Sequence, residues 1–364
     1  MRKLILVFLA FPLFLSAQLN KKIEKIDSVL TYLYERQLFN GTVLIGEKGK
    51  VLYKKAFGVS AAVNGQPLTT ASAFNLASVS KQFFAMMIMM LKEEGKLQYD
   101  DPVQKYLPSF PYAGITIRQL LNHTSGLPEY FDIAERNIGL LDTATNESIQ
   151  ALLAVKKPPL VFNPGEKWEY CNTNYATLAS VIEKLTGTTS DQFFQQRIAQ
   201  PLKLKNTYVY DLTMKNYPPS RVFGFHYEGG KPVSEDLTRF DGIVGDGGIY
   251  STVEDLYKWD QALYTEKLIK KNTFNEAITA GKTNDGKSTG YGFAWFIDRP
   301  GVEISHTGSW VGFRALIVRY LQNNQTLIIL DNSENFAARS IAKNILDDKP
   351  FVLPQTQLVS NIQS

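Results

Sequence analysis

The sequence predicts an α+β fold: one antiparallel sheet built from both chain ends, with flanking helices and an inserted, mainly helical lobe. Three observations predict it. Short strand-like runs bounded by Gly, Asn and Pro gather at the two ends of the chain. Helical patterning fills the middle, from about Ser72 to Leu263. No internal repeat and no linker-like stretch separates the parts, so strands from both ends must complete a single sheet with the helices packed beside it.

The elements follow in order. From Lys21 to Arg36, Ile23, Ile26, Leu30 and Leu33 recur at three- and four-residue steps, which marks an amphipathic helix. Asn40-Gly41 turns the chain into a strand over 42–47. Lys48-Gly49-Lys50 is a tight turn, and 51–57 is the antiparallel partner in a hairpin. Helices are expected over 81–94, 117–122, 174–185 and 253–264. Strands are expected over 291–298, 302–305, 313–320 and 326–331, with a closing helix over 336–346. Residues 354–364 are polar and expected to fray.

The first residues read differently. Met1-Arg2-Lys3 precedes an apolar stretch over 4–15, broken by Pro12, and then Ser16, Ala17 and Gln18. A charged start, a short apolar core and a small residue before a polar one form a secretory signal peptide, cut after Ala17. Twelve residues at about 1.5 Å each fall short of a roughly 30 Å hydrocarbon core, so no stable membrane span is expected once the leader is removed. The expected organisation is therefore 1–17 signal peptide, 18–348 a single folded domain and 349–364 a C-terminal tail. Export without disulfides, since Cys171 is the single cysteine, points to a bacterial periplasm or the exterior.

Composition narrows the function classes. Of 364 residues, 44% are hydrophobic and 20% charged, which excludes a disordered, collagen-like or coiled-coil chain. The net charge is +4 and drops by two when Arg2 and Lys3 leave with the leader, so nucleic acid is not an expected partner. His123, His226 and His306 are spread with no pair at ligand spacing, and no metal or cofactor is expected.

Chemistry concentrates at three short motifs. The run beginning Ser78-Val79-Ser80-Lys81-Gln82 becomes apolar on every side, as a helix buried through a lobe would be. Ser78 and Lys81 are three residues apart and so stack on one helix face. A serine there sits in the positive field of the helix start, and a partly buried lysine can lose its proton and act as a base. Alone, the pair reads as an N-cap beside a solvated lysine. The second motif is Tyr170-Cys171-Asn172, where Asn172 or Asn174 reads locally as an N-cap. The third is His306-Thr307-Gly308-Ser309 at a strand end before Gly312, an edge strand meeting a glycine turn.

Together and in this order the three motifs resemble those of the penicillin-recognising serine hydrolases. The resemblance is to the branch holding class C β-lactamases, D-Ala-D-Ala carboxypeptidases, D-aminopeptidases and β-lactamase-fold esterases. It extends through Leu120-Leu121-Asn122-His123-Thr124-Ser125-Gly126-Leu127-Pro128, Asn163-Pro164-Gly165, Gly247-Gly248-Ile249-Tyr250 and Gly290-Tyr291-Gly292, from about Gly41 to Asp331. It implies the β-lactamase/transpeptidase-like fold and an exported serine hydrolase that cleaves an amide or ester through an acyl-enzyme. The implied substrates are small molecules or peptides: a D-amino-acid peptide, an ester or a β-lactam. Carboxypeptidase-like and carboxylesterase-like activities lead; a β-lactamase, or a sensor that acylates without turnover, is the alternative.

The resemblance also implies roles. Ser78 forms the acyl-enzyme, and Lys81 keeps Ser78 and the Tyr170 phenol poised for proton transfer. Tyr170 passes the proton to the leaving group; whether Tyr170 or Lys81 takes it from Ser78 stays open. Asn172 bonds Lys81 and the substrate amide, and the backbone N–H groups of Ser78 and Ser309 form the oxyanion hole. Gly308 lets substrate backbone lie against the strand edge. His306, partly charged near neutral pH, holds a substrate carboxylate less firmly than the lysine common in β-lactamases. Trp310, Tyr130 and Arg314 are expected at the pocket by proximity. Cys171 reads as a small buried residue, His123 as structural, and Asp241 and Asp246 as turn residues.

Overall fold

The computed structural model describes residues 5–137, 143–210, 212, 214 and 216–355, with side chains from residue 18 onward. Helix α1 (Ile5–Glu35) leads into strands β1 (Gly41–Glu47) and β2 (Lys50–Phe57). Strand β3 (Phe74–Asn75) and a 3-10 turn (Ala77–Ser80) precede α2 (Lys81–Glu93). The lobe continues through α3 (Ile117–Leu121), α4 (Tyr130–Glu135), α5 (Asn146–Lys156) and α6 (Asn172–Thr186). Then come α7 (Ser190–Phe194), α8 (Gln200–Leu202), β4 (Tyr208–Val209), β5 (Phe225–Glu228), β6 (Lys231–Ser234) and β7 (Ile249–Ser251). Helices α9 (Val253–Ala262) and α10 (Lys271–Ala277) return the chain to β8 (Phe296–Arg299) and β9 (Glu303–Trp310). Strands β10 (Phe313–Tyr320) and β11 (Gln325–Asp331) and helix α11 (Ala337–Leu346) close the fold.

The main sheet runs β2-β1-β11-β10-β9-β8, with antiparallel neighbours throughout. The chain ends meet where β1 pairs β11, from Gly41 opposite Asp331 to Glu47 opposite Gln325. Side-chain alternation sets the layers. Leu327 and Ile329 join a core with Ile26, Leu30 and Leu33 of α1 and Ile341 and Ile345 of α11. Ile328 and Leu330, pointing the other way, join the core formed by α2 and the lobe. With both faces covered, β10 and β11 are buried end to end, which is why their centres, 315–318 and 327–330, read as continuous apolar runs. A fully buried ion pair ties lobe to sheet: Arg319 Nε donates to Asp260 Oδ1 at 2.6 Å, and Thr326 donates to the other carboxylate oxygen.

Two expectations change. The middle is not purely helical, because β3, β7 and β4 form a small sheet and β5 with β6 a hairpin. Strands of two to four residues are too short for a period of two to show. The strand expected over 302–305 runs on to Trp310 and carries His306-Thr307-Gly308-Ser309 inside the sheet. Residues 5–17, expected as a leader, form the first part of α1; residues 1–4 and the tail from 356 lie outside the described residues. Among the described residues, no helix is long and apolar enough to cross a membrane.

Candidate active site

The two hydroxyls at the start of α2 separate cleanly. Ser80 is fully buried, and its Oγ accepts the Ile249 N–H at 3.1 Å. Ser78 lines an open cleft holding about 540 Å³ of empty space. It sits near the start of the 3-10 turn, ahead of the residues whose N–H groups bond the carbonyls of Leu76, Ser78 and Val79. Ala77 just before it holds φ at +47°, an uncommon value for a residue with a side chain, and Asn75 Oδ1 accepts the Ala77 N–H at 2.8 Å.

Strand β9 is pressed against this turn at Gly308. A Cβ there would lie 2.1 Å from the Leu76 carbonyl oxygen, so any side chain would push β9 off the segment carrying Ser78. Arg339 of α11 donates to the carbonyls of Gly308 and Ala315, at 2.6 and 2.8 Å. Packing against the protein's own chain is thus enough by itself to require glycine at 308. Ser309 lines the cleft with Ser78, and β8 pairs with β9 only as far as Ser305, leaving the edge beyond free of β8.

Lys81 is buried and fully engaged, not solvated. Its ammonium donates to Ser78 Oγ at 3.1 Å, Asn172 Oδ1 at 2.8 Å and the Asp246 carbonyl at 2.7 Å. Three donors meet three acceptors. Burial lowers its pKa to about 8, against the opposing pull of Asp246, Glu129 and Cys171. Once deprotonated, the amine keeps two N–H bonds for the two carbonyls and can turn a lone pair to the Ser78 hydroxyl. That is the geometry of a general base.

Tyr170 lies beside this cluster, its ring centroid 4.9 Å from Lys81 Nζ. The phenol oxygen is buried and has no partner at hydrogen-bonding geometry. Burial pushes its pKa well above the ordinary value, eased only in part by Ser78. His123 fixes the loop on both sides of it: its carbonyl accepts the Glu169 N–H at 3.0 Å and its Nδ1 accepts the Cys171 N–H at 3.2 Å. The two rings lie 4.3 Å apart.

His306 requires a correction. It is 1% exposed and does not line the cleft. Its Nδ1–H donates to the Thr307 carbonyl at 2.7 Å, so Nε2 is left to accept the Tyr291 hydroxyl at 2.9 Å. Burial, with Lys81 nearby, lowers its pKa to about 3. A neutral, saturated imidazole cannot grip a carboxylate.

Asn172 opens α6, so neither it nor Asn174 is the N-cap; Cys171 is. The helix start is met instead by Glu129, whose Oε2 accepts the Asn172 N–H at 2.8 Å and Nδ2 at 3.1 Å. Tyr130 and Trp310 do line the cleft, with Phe131 and Phe240. Arg314 does not; it pairs with Glu334 at 2.7 Å. Asp241 and Asp246 are more than turn residues: both line the cleft, accepting Trp310 Nε1 at 3.0 Å and the Tyr130 hydroxyl at 2.8 Å. The sequence reading missed Glu129 and the part played by Asp246. Their signal was adjacency alone, Glu129 directly after Pro128 and Asp246 directly before Gly247.

The fold also gathers His226, Glu235 and Glu334, whose ligand atoms lie within 4.8 Å of one another, a trio that sequence spacing hides. His226 bonds Glu235 at 2.9 Å and Glu334 pairs with Arg314, so each member of the trio already has a partner.

A family model described as "Beta-lactamase" matches residues 22–349. A penicillin-binding protein of Bacillus subtilis strain 168 is 36% identical over 357 residues, covering 92% of this chain and 78% of that protein. An octameric penicillin-binding protein homologue from Pyrococcus abyssi superposes with a TM-score of 0.78 at 26% identity, covering 90% of this chain and 78% of that one. EstCE1, a hydrolase with promiscuous acyltransferase activity, shares the fold with a TM-score of 0.74 at 22% identity, covering 90% and 98%. The family match over nearly the whole domain, on a fold that brings Ser78, Lys81 and Asn172 within hydrogen-bonding reach, places this chain in the β-lactamase family of serine hydrolases.

Proposed function

We propose that this protein hydrolyses esters or amides through an acyl-enzyme on Ser78, and that its substrates are neutral or ammonium-bearing, not held by a carboxylate. The observation that carries the second half is the cleft's charge. Asp241 and Asp246 line it, beside the aromatic wall of Tyr130, Phe131, Phe240 and Trp310, and no Lys, Arg or His is among its lining residues. Carboxylates beside aromatic faces favour a cation and repel an anion. With His306 neutral and buried, the carboxypeptidase and β-lactamase readings lose the group that would hold their substrate's carboxylate.

Neutral Lys81 accepts the Ser78 proton as Oγ attacks the carbonyl carbon, and the N–H groups of Ser78 and Ser309 receive the oxyanion. A phenolate at Tyr170 is disfavoured by burial, so Tyr170 acts as a protonated phenol, relaying a proton to the leaving group as the acyl-enzyme forms. Water then takes the leaving group's place and the acid is released. We also propose export, on the strength of the leader, with a mature chain beginning at Gln18.

The test uses three matched p-nitrophenyl esters of D-alanine: free amine, N-acetyl and N-succinyl. Expected is turnover of the first two, at least about tenfold above the succinylated one in kcat/KM, a difference of about 1.4 kcal/mol. Ser78→Ala should abolish fluorophosphonate labelling and lower kcat on the order of 10⁴-fold or more. Preference for the succinylated ester would overturn the substrate reading, and labelling that survives in Ser78→Ala would overturn the site.

A further inference from the structure

Glu129 lies behind Asn172 and does not itself line the open cleft. Its Oε1 accepts the N–H of Tyr130 at 2.9 Å, while Oε2 takes both the N–H and the side-chain Nδ2 of Asn172. The side-chain bond decides which way the Asn172 amide faces. With Nδ2 on Glu129, Oδ1 is left for Lys81 Nζ at 2.8 Å. Turned over, the amide would set N–H donors against the Lys81 ammonium and a carbonyl oxygen against a carboxylate. Neither contact can be a hydrogen bond.

We propose that Glu129 is a positioning residue for the hydrolytic reaction: it locks the Asn172 amide with its oxygen toward Lys81, and its carboxylate is a counter-charge of that lysine. The proposal rests on the reading of Lys81 as the base for Ser78. Three bonds connect the carboxylate to the reacting hydroxyl: Glu129 to Asn172, Asn172 to Lys81, Lys81 to Ser78. Glu129 therefore acts through its neighbours and is not itself a catalytic group.

The surroundings of both ends are defined. Glu129 faces Asn172, Lys81, Asp246, Tyr130, Tyr170 and Cys171. Lys81 faces Ser78, Asn172, Asp246, Glu129, Cys171, the rings of Tyr170 and Tyr175, and the neutral His123 and His306. Burial raises Glu129 to about 7 while Lys81 is lowered to about 8, so the two titrate as a pair within the working range. An anion near Lys81 holds the lysine proton on. Removing that charge, with the shape kept, must let the proton leave at lower pH.

The experiment compares wild type, Glu129→Gln and Glu129→Ala, recording kcat and KM from about pH 5.5 to about pH 10 with the N-acetyl ester. Glu129→Gln retains one oxygen that can accept from the Asn172 N–H and Nδ2, and loses the charge together with the acceptor facing the Tyr130 N–H. Its kcat at the optimum should fall less than that of Glu129→Ala, while the rising inflection of kcat/KM moves down by roughly 0.5–1 pH unit. That is less than the 1–3 units of a direct contact, because Asn172 stands between. Glu129→Ala should lose about 10- to 100-fold in kcat with little change in KM, as loss of an orienting partner does. A residue that merely caps α6 would lower the melting temperature in both variants and leave the pH profile where it was. An unmoved inflection in Glu129→Gln overturns the proposal, whether or not Glu129→Ala folds. If wild type neither turns over the ester nor labels at Ser78, the underlying site reading fails and takes this one with it. If wild type does both and the Gln profile is unchanged, only the role of Glu129 falls.

Discussion

Two clusters share Tyr170 as a neighbour, and they are built on opposite principles. Around Lys81 every N–H of the ammonium meets an oxygen, and ionisable partners surround it: Asp246, Glu129 and Cys171 all pull its proton affinity up while burial pulls it down. Around His123 and His306 the polar atoms are few, the rings are neutral, and partners are aromatic: Tyr170, Tyr175, Tyr291 and Phe296. The first arrangement sets where a proton resides. The second holds a shape. The difference teaches that an imidazole in a family motif need not titrate, and that the groups able to change charge near neutral pH are Lys81 and the Glu129 behind it.

The largest effect that could break this contrast is at the shared residue. Tyr170→Phe should leave the fold intact and lower kcat by roughly 10²–10⁴-fold, the usual worth of a positioned acid or base. The lost hydroxyl has no hydrogen-bond partner in the fold, so the melting temperature should not drop. A rate within threefold of wild type would show that the phenol carries no proton, leaving Lys81 to act alone.

A smaller effect sharpens the other half. His306→Ala should weaken turnover of the N-acetyl and N-succinyl esters to the same degree, since the imidazole bonds Thr307 and Tyr291 and not substrate. It should also cost about 1–3 kcal/mol in stability by orphaning the Tyr291 hydroxyl. A selective loss for the succinylated ester would restore His306 as a carboxylate site. Its titration has a sign that can be checked in stability. Unfolded, a histidine takes its proton near 6.5, whereas folded His306 resists until about 3. Between those values the unfolded chain binds more protons, so stability must fall as pH drops through that window. The slope attributable to His306 is at most about 1.4 kcal/mol per pH unit, and His306→Ala should remove it. His123, also pushed well below its ordinary value, leaves a slope of its own.

Much of this contrast was legible in the sequence, and its limits have physical causes. The sheet made from both chain ends was readable because β1, β10 and β11 are long enough to show apolar runs, and so was α2, apolar all round. Ser78 and Lys81 were readable because their three-residue spacing is local. Glu129 was not, because its meaning lies in contacts 43 residues away at Asn172. Charge state was not legible either: His306 and Lys81 both moved through burial, a property of the assembled fold. The packing constraint on Gly308 was not legible, since it comes from Leu76, more than 200 residues earlier in the chain. The small sheet of β3, β7 and β4 left no pattern at all, with two or three residues per strand.

The central claim is that proton control in this site belongs to Lys81, and the pH dependence of kcat/KM for a neutral ester tests it most directly. The wild-type rate should rise with pH through an inflection near 8, as the buried lysine gives up its proton, and should show no step near 6.5 from histidine. A rate that is flat from about pH 6 to about pH 9, or that turns near 6.5, would contradict it.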